Sequence, residues 1–557
     1  MEWVKGVSSI NWDTIQKLSD LDQKVADLHR QGRCAEAVEI AQQALNLASR
    51  TFGPDHRYTQ TAQKNLLLLH KVKTGQSPGG QALKKKTRKK NNFRVSALIK
   101  LLPVILCLSI ISTLGLITGM VDKSETAAAV PAELPREEKN LPYYIVQADF
   151  YPQSRVIEGK EEVTFEHFDP GEEVVFNLYL NNYNDRSLQS SEMRKYARAR
   201  GREPGYINVQ NVYYQGKQIP YEQTGKILKV KLNELLFSPG EQTLTIDFKA
   251  KMPFGADRVG GNEKGMWLGN WLPTISVDGK ESVSTDVGDP FVNFSSTYEV
   301  SFSVPYDYNL VISNTNLAED KHGKRKTYRG QLEQVRDLPV FLNRDYNLKT
   351  IQSGKTAINY YYDNDGKPTE VLAAANEALE YFRKNVGEYP WKQLNVVQND
   401  MYLSGMEYST LILISNQAIK NNLKKTLFHE IGHQWFYNII GSDQYNAPYM
   451  DEGLIEFIGM KALTDKTPQS WSHLTGLNKS LEEFDSWEQY RTIHYRQGQK
   501  WFECLYSLMG QERFDRFIQD YYKNFKYDYV TPGEFEAFLI NYINNRSTQE
   551  LLSYLEN

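Results

Sequence analysis

The sequence has 557 residues, which at about 150 residues per domain allows three or four domains. Apolar residues make up 40% and charged residues 24%, so the chain can bury a core, and wholesale disorder and a fibrous structure are excluded. The formal net charge of −3 argues against a surface built to bind nucleic acid, and no nucleic-acid partner is expected. Three cysteines are too few for a scaffold held by disulfides.

Residues 1–75 are expected to form a small helical segment. Between residues 20 and 72, apolar residues recur mostly at three- and four-residue spacing, and glycines such as Gly32 separate the helical runs. Together with the small residues Ala37 and Ala44, this string resembles a tetratricopeptide repeat. The resemblance implies a cytoplasmic protein partner, and a small helical domain that shares only the pattern is the alternative. Such arrays generally need about three units for stability, and residues 76–100 are interpreted as a basic linker.

Residues 101–121 are predicted to form a transmembrane helix. They contain no charged residue over 21 positions, which at about 1.5 Å per residue spans the roughly 30 Å hydrocarbon core of a bilayer. Lysine and arginine precede the segment and acidic residues follow it, a distribution that keeps the N-terminal flank in the cytoplasm. We therefore expect a single-pass protein of the cell membrane with a stalk over residues 122–141 and an extracytoplasmic C-terminal part. Cleavage near Ala129 would release that part.

The C-terminal part divides into a β-rich region, residues 142–352, and a mainly helical region, residues 353–557. In the first region apolar and polar residues alternate, and turn signals such as Asp169-Pro170-Gly171 separate the runs. This pattern predicts a large β-sandwich or saddle. In the second region the apolar period changes to about 3.6 residues, and residues 409–414 are interpreted as a strand within it.

A histidine pair in the helical region predicts a metal site. His429, Glu430 and His433 form the pattern His-Glu-x-x-His, and on a helix the two histidines lie one turn apart on the same face. Both imidazoles can then reach one metal ion, and Glu430 lies beside them, where it can take a proton from a water molecule. Zn²⁺ suits two imidazoles and one carboxylate and keeps a fourth position open. One Zn²⁺ ion per chain is therefore expected.

The third ligand is expected from a second helix. Asp451, Glu452 and Glu456 follow Gly441 in a run that predicts a helix packed on the first. Glu452 and Glu456 share a face, and Asp451 is rotated away from it by about a quarter turn. Spacing alone does not choose among the three carboxylates.

These motifs resemble the membrane alanyl aminopeptidase (aminopeptidase N) family of gluzincin zinc peptidases. In that family eighteen residues separate His-Glu-x-x-His from a glutamate, as they separate His433 from Glu452 here. The resemblance, over roughly residues 143–540, implies that His429, His433 and Glu452 are the zinc ligands and that Glu430 is the general base. It implies an aminopeptidase-type β-rich domain and an α+β thermolysin-like zinc peptidase domain with a helical tail. The expected fold is multidomain, with the helical N-terminal segment and one transmembrane helix before these two domains.

Two further stretches resemble the same family. Residues 404–408, Ser-Gly-Met-Glu-Tyr, are similar to the strand that binds the amino terminus of the substrate, usually Gly-Ala-Met-Glu-Asn. The resemblance implies that Gly405, Met406 and Glu407 contact a peptide substrate and that Glu407 holds its α-ammonium group. The tyrosine of a Tyr-x-x-Gly stretch, Tyr495, would donate its hydroxyl to the developing oxyanion.

The sequence also departs from the family pattern. Tyr408 stands where the motif has asparagine, and residues 268–273 contain no obvious equivalent of the glutamine or glutamate that helps to hold the amine in many members. The expected function is a membrane-anchored zinc metallopeptidase, and by resemblance an aminopeptidase. The alternatives are an endopeptidase of the same fold and a catalytically silent membrane adaptor or receptor with a cytoplasmic binding repeat.

Overall fold

The computed structural model describes residues 33–52, single positions near them (17, 21, 24, 25, 28 and 66), and most of residues 141–555. Within the last stretch the description leaves out residues 168–172, 185–202, 233–239, 256, 278–286, 290, 313–317, 364, 465–473 and 544–550. Contacts divide the chain into two units, Met1–Lys123 and Ser124–Asn557, and each is described by itself.

The first unit contains the helix α1, Cys34–Phe52. Ala37, Ala41, Ala44 and Ala48 are buried at three- and four-residue spacing, so one face of α1 consists of small side chains. Beyond α1 and the single positions, the predicted repeat of residues 20–72 lies outside the described residues. The protein partner expected through it therefore stays a prediction.

The described residues contain no helix that is long and apolar enough to cross a membrane. The longest helices among them, α1 with 19 residues and α2 (Pro368–Asn385) with 18, both carry charged side chains. The predicted fold class with its transmembrane helix is therefore wrong, as is the predicted localisation as a single-pass protein of the cell membrane. Both rested on residues 101–121, which lie outside the described residues. Hydropathy marks only a candidate, because a span also needs a continuous helix of about 20 residues.

The second unit begins with a β-rich region built around an eight-stranded sheet. In spatial order its strands are β14 (Ala318–His322), β15 (Arg325–Val335), β12 (Ser296–Pro305), β1 (Tyr143–Tyr151), β2 (Val156–His167), β8 (Gly240–Lys251), β4 (Tyr206–Tyr214) and β5 (Lys217–Ile219). β1 pairs with β12 in parallel, and the other neighbours are antiparallel. Alternate residues of β1, such as Tyr144 and Val146, are buried, so one face of the sheet packs on the core.

Two four-stranded sheets complete the β-rich region. One has the order β13 (Asn309–Val311), β16 (Val340–Asn343), β10 (Gly265–Leu268) and β9 (Gly260–Gly261); the other has the order β11 (Thr274–Ile275), β3 (Glu173–Asn177), β7 (Ile227–Lys231) and β6 (Tyr221–Thr224). Trp271, which follows β10, packs edge-on against Phe248 of β8 and Phe302 of β12, with ring centroids 6.1 and 5.8 Å apart. These contacts join the connecting segment to the large sheet.

A five-stranded mixed sheet opens the rest of the second unit. Its order is β17 (Asn347–Ser353), β18 (Thr356–Tyr362), β19 (Gln393–Asn399), β21 (Leu411–Ser415) and β20 (Gly405–Met406). β18, β19 and β21 are parallel, and the outer strands β17 and β20 are antiparallel to their neighbours. The sequence predicts a strand over residues 409–414, and β21 overlaps it from Leu411 onward. The predicted domain boundary at residues 352/353 falls in the β17–β18 hairpin.

Helices cover this sheet and continue to the C-terminal end of the described residues. After α2 they are α3 (Asn416–Asn421), α4 (Leu423–Gly432), α5 (Glu452–Leu463), α6 (Trp487–Tyr490), α7 (Gly498–Met509), α8 (Gln511–Phe525) and α9 (Pro532–Ile540), and a short pair joins β22 (Gly441–Ser442) to β23 (Tyr529–Val530). Gly432 faces Ile455, where a Cβ on the glycine would lie 3.1 Å from Ile455 Cγ2. Helices α4 and α5 therefore approach each other closely, which brings their polar residues into one site.

Candidate metal centre

Helix α4 carries the predicted histidine pair. His429 and His433 lie one turn apart, and their Nε2 atoms are 3.2 Å from each other. Beyond His433 the helical turns widen, because the amide of Asn438 donates to the carbonyl of His433 at 3.0 Å, five residues back. Both rings are therefore held at the end of the regular helix, and His433 is buried.

Helix α5 supplies a carboxylate to the same place. Glu452 Oε2 lies 3.1 Å from His429 Nε2 and 3.5 Å from His433 Nε2. Asp451 caps α5 instead: its Oδ1 accepts from the amide of Glu452 at 2.8 Å, and its Oδ2 accepts from Gln444 at 2.7 Å. Among the carboxylates that spacing left open, the structure thus brings Glu452 to the two Nε2 atoms.

The three clustered atoms fit a zinc ion. His429, His433 and Glu452 offer one ligand atom each within 4.8 Å of one another. Ligands at about 2.0–2.1 Å from a tetrahedral Zn²⁺ lie about 3.3 Å apart, close to the separations of 3.1, 3.2 and 3.5 Å found here. Glu452 Oε2 is also buried without a hydrogen-bond partner, and a bound cation would satisfy it.

Glu456 lies on the other side of the first histidine. Its Oε1 is 3.3 Å from His429 Nδ1, and its Oε2 forms an ion pair of 2.8 Å with Lys425. A carboxylate in this position orients the imidazole of a ligand histidine and raises its basicity. Glu456 thus supports His429 rather than joining the cluster.

Glu430 is buried beside the cluster and faces the strand β20. A Cβ on Gly405 would overlap the Glu430 carboxyl group, so only glycine allows this close approach. Burial raises the pKa of Glu430 to about 8; His429 opposes the rise and Glu452 adds to it. A carboxyl with such a pKa can both accept and donate a proton near neutral pH.

Glu407, which follows β20 directly, also lines the cavity. Glu407 is buried, and its Oε1 has no hydrogen-bond partner. Burial raises its pKa well above the ordinary value, and the nearby Asp289 and Glu430 add to the rise. Met406 is buried in a core cluster that contains Trp267 and is not part of the cavity lining.

The side chain of Gln434 ties the strand to the histidine helix. Its Nε2 donates to the carbonyl oxygens of Glu407 at 3.3 Å and Tyr408 at 3.1 Å, and its Oε1 accepts from the amide of Thr410 at 2.8 Å. Gln434 follows His433 directly, so these bonds set the position of Glu407 relative to the cluster. Sequence reasoning missed this residue, since nothing in its spacing links it to a strand more than twenty positions earlier.

Tyr495 reaches the cluster from the wide-turn helical segment Arg491–Gln497. Its hydroxyl donates to Glu452 Oε1 at 2.6 Å, and its ring stacks on His429 with centroids 5.7 Å apart. The adjacent His494 is buried, and its Nε2 lies 3.0 Å from the carbonyl of Lys479. Of these neighbours, Tyr495 is the one that faces the site.

A cavity of about 530 Å³ joins these groups. Its lining includes Gly405, Glu407, His429, Glu430, Glu452 and Tyr495. The β-rich region contributes Asp289, which forms an ion pair with the buried Arg258. The sequence gives no sign that Asp289 belongs to this cavity, because contact between the two regions is not visible in local spacing.

Part of the chain around this site is similar to known proteins. Residues 371–488 match the family model of the peptidase family M1 domain. Leucine aminopeptidase 2 of Emericella nidulans is 26% identical over 203 residues, which is 32% of this chain and 33% of the relative. Leucine aminopeptidase 2 of Aspergillus fumigatus is 23% identical over 201 residues, 32% of this chain and 33% of the relative. The matches thus span about a third of the length of these curated relatives.

Solved structures share the fold over a larger part of the chain. An M1 zinc metallopeptidase from Deinococcus radiodurans covers 75% of this chain and 94% of its own, with a TM-score of 0.51 and 13% identity. A mutant of an M1 zinc metallopeptidase from the same organism, bound to a Tyr-Ser-Ala substrate, gives a TM-score of 0.52 at 14% identity, again over 75% and 94% of the two chains. The solved structures show a shared fold. The family match and the cluster confirm the prediction of a zinc metallopeptidase domain with Zn²⁺ as cofactor.

Proposed function

We propose that the protein is an aminopeptidase that removes N-terminal residues from peptides. The observation that carries the proposal is Glu407, whose buried Oε1 has no partner and which lines the same cavity as Glu430. A buried carboxyl group without a partner costs free energy, and a charged donor offsets that cost. The free amino terminus of a peptide is such a donor.

The protonation of Glu407 favours the same substrate class. Burial raises the pKa of its carboxyl group, and neighbouring acids add to the rise. An α-ammonium group beside it stabilises the carboxylate form, because an opposite charge at close range lowers the pKa of an acid. A peptide with a blocked amino terminus brings no such charge and leaves Glu407 without a partner.

The backbone next to Glu407 suits an extended peptide. β20 lies at the edge of its sheet, with β21 on one side. An edge strand offers its backbone groups to a further strand, which is a common way to bind peptides. A peptide paired along β20 would place its first peptide bond near Glu430, which packs against Gly405.

In the proposed reaction His429, His433 and Glu452 hold the Zn²⁺ ion. When bound, the ion acts as a Lewis acid that polarises a carbonyl group and lowers the pKa of water. Glu430 takes a proton from the attacking water and returns it to the amine that leaves. The Tyr495 hydroxyl, which donates to Glu452 Oε1 in the structure, would turn to the carbonyl oxygen as negative charge develops there.

The endopeptidase alternative fits the site less well. An endopeptidase binds the interior of a chain and brings no ammonium group to Glu407, whose Oε1 would stay buried and unpaired. A silent adaptor fits less well still, because three clustered ligand atoms and an adjacent carboxyl group serve no purpose in a mere scaffold.

The test compares free and blocked peptides on the full-length protein. We expect the wild type to cleave Leu-Ala-Ala and to leave its N-acetylated form intact. In Glu407→Ala, kcat/KM for the free peptide should fall by about 10²-fold, since a charge-assisted contact in a water-poor site is lost.

The control is Glu512→Ala, which removes an exposed carboxylate on α8. Its kcat/KM for Leu-Ala-Ala should match that of the wild type. Equal cleavage of free and acetylated peptides by the wild type would contradict the aminopeptidase proposal and favour the endopeptidase. Zinc content, measured in each variant, separates an effect on binding of the peptide from loss of the metal.

A further inference from the structure

Arg491 is a cation on the wall of the catalytic cavity. It is exposed and lines the cavity with Glu407, His429 and Tyr495. Its guanidinium makes no hydrogen bond or ion pair with the residues that the structure describes. An arginine that leaves all its donors to solvent inside a binding site can bind a planar anion.

Several other charged residues in the cavity lining form ion pairs, unlike Arg491 among the described residues. The second cation in the lining, Lys425, forms an ion pair of 2.8 Å with Glu456. Of the acids in the lining, Asp289 pairs with Arg258 and Glu488 pairs with Arg496 at 2.9 Å. Arg491 is thus a positive charge in this cavity that no described acid neutralises, although several acids line the same wall.

The helical segment places Arg491 on the same side as Tyr495. Arg491 precedes Tyr495 by four residues in the wide-turn segment, slightly less than one turn, and both residues line the cavity. Tyr495 touches Glu452 at 2.6 Å and so marks the position of the metal cluster. An extended peptide advances about 3.4 Å per residue, so a peptide bound in this cavity would bring groups one or two residues from the cleaved bond towards Arg491.

We infer that Arg491 binds a carboxylate of the peptide substrate. The inference rests on the proposed aminopeptidase function and specifies its substrate class: peptides with a negative charge close to the cleaved bond. That charge can be the C-terminal carboxylate of a short peptide or the side chain of an acidic residue. In the first case the cavity complements a zwitterion, with Glu407 for the ammonium end and Arg491 for the carboxylate end.

The experiment compares three peptides that differ in the carboxylate alone: Leu-Ala-Ala, its C-terminal amide Leu-Ala-Ala-NH₂, and Leu-Asp-Ala-NH₂. The wild type should prefer one carboxylate-bearing peptide to Leu-Ala-Ala-NH₂ by about five- to tenfold in kcat/KM, the effect of a hydrogen-bonded charge. Whichever of the two is preferred identifies the source of the charge. In Arg491→Gln this preference should vanish, because KM for the carboxylate-bearing peptide rises while kcat stays the same. Arg491→Lys should keep part of the preference.

A second readout is binding to the inactive Glu430→Gln protein, measured by calorimetry with and without Arg491→Gln. The control is Arg513→Gln, which changes an exposed arginine of α8 outside the cavity. It should leave kcat/KM unchanged in the wild type and peptide affinity unchanged in Glu430→Gln. A preference that survives in Arg491→Gln overturns the inference. Equal kcat/KM values of the wild type for the three peptides, together with equal affinities of Glu430→Gln for them, overturn it as well. If the wild type cleaves none of them, the aminopeptidase proposal fails, and the calorimetric difference alone decides the role of Arg491.

Discussion

The ring of Tyr408 fills the space that a side chain at position 269 would need. A Cβ on Gly269 would overlap the Tyr408 ring, and the Tyr408 hydroxyl donates to the carbonyl of Arg258 at 3.1 Å. Tyr408 follows Glu407 directly, so this contact joins the strand beside the catalytic cavity to the β-rich region. Tyr408 stands where the family motif has asparagine, and Gly269 on the facing segment leaves room for its larger ring.

Gly269→Ala should lower the free energy of unfolding by about 1–3 kcal/mol, because the added methyl group forces the buried Tyr408 ring to move. Urea unfolding measures the loss. Tyr408→Asn opens the same space, so the double variant should be more stable than the sum of the two single effects predicts. Strict additivity would show that the two residues do not share this space.

Glu430→Gln should keep the metal and lose hydrolysis. The amide preserves the shape of the side chain but cannot accept a proton, so kcat should fall by about 10²–10⁴-fold. Metal analysis and peptide hydrolysis measure the two properties on the same sample. His433→Ala is the contrasting variant and should lose the zinc; undiminished zinc there would remove His433 from the ligand set.

Glu456→Gln should weaken zinc binding without abolishing it. The carboxylate lies 3.3 Å from His429 Nδ1, and loss of such a partner typically lowers metal affinity about 10–100-fold. Competition with a chelator gives the affinity. Glu512→Gln, on the exposed face of α8, serves as the reference, and an unchanged affinity in Glu456→Gln would mean that His429 needs no support from this side.

His494 should make the protein less stable in mild acid. Burial lowers its pKa from 6.5 to about 4, opposed by the hydrogen bond to the Lys479 carbonyl. The unfolded chain therefore binds the proton first as the pH falls, and stability is lost between about pH 6.5 and pH 4. The full loss is about 3 kcal/mol at 1.4 kcal/mol per pH unit.

His494→Gln removes this titration and keeps a donor for the Lys479 carbonyl. The difference in unfolding free energy between wild type and variant should therefore shrink from pH 7.5 to pH 5. A difference that stays constant over that range would show that His494 titrates alike in the folded and unfolded chains.

The helical periodicity of α4 was open to prediction because it is local. Residues four apart on a helix share a face whatever surrounds it, so His429 and His433 converge in the structure as their spacing requires. The same holds for the alternation in β1 and for the strand β21. The transmembrane prediction rested on the apolar composition of residues 101–121, and the described residues contain no helix that is long and apolar enough to cross a membrane.

The sequence by itself determined the histidine pair, the adjacent Glu430 and the switch from alternating to helical periodicity, since each depends on neighbours within a few residues. The resemblance implied Glu452 as the third ligand, but local spacing left three carboxylates open, and the tertiary structure brings Glu452 to the histidines while Asp451 caps its helix. Only the tertiary structure decided that Gln434 fixes Glu407 and that Arg491 shares the cavity. Those relationships join segments far apart in the chain. They arise from the close approach of α4 to α5 and from the packing of the β20 strand on α4, which no local pattern records.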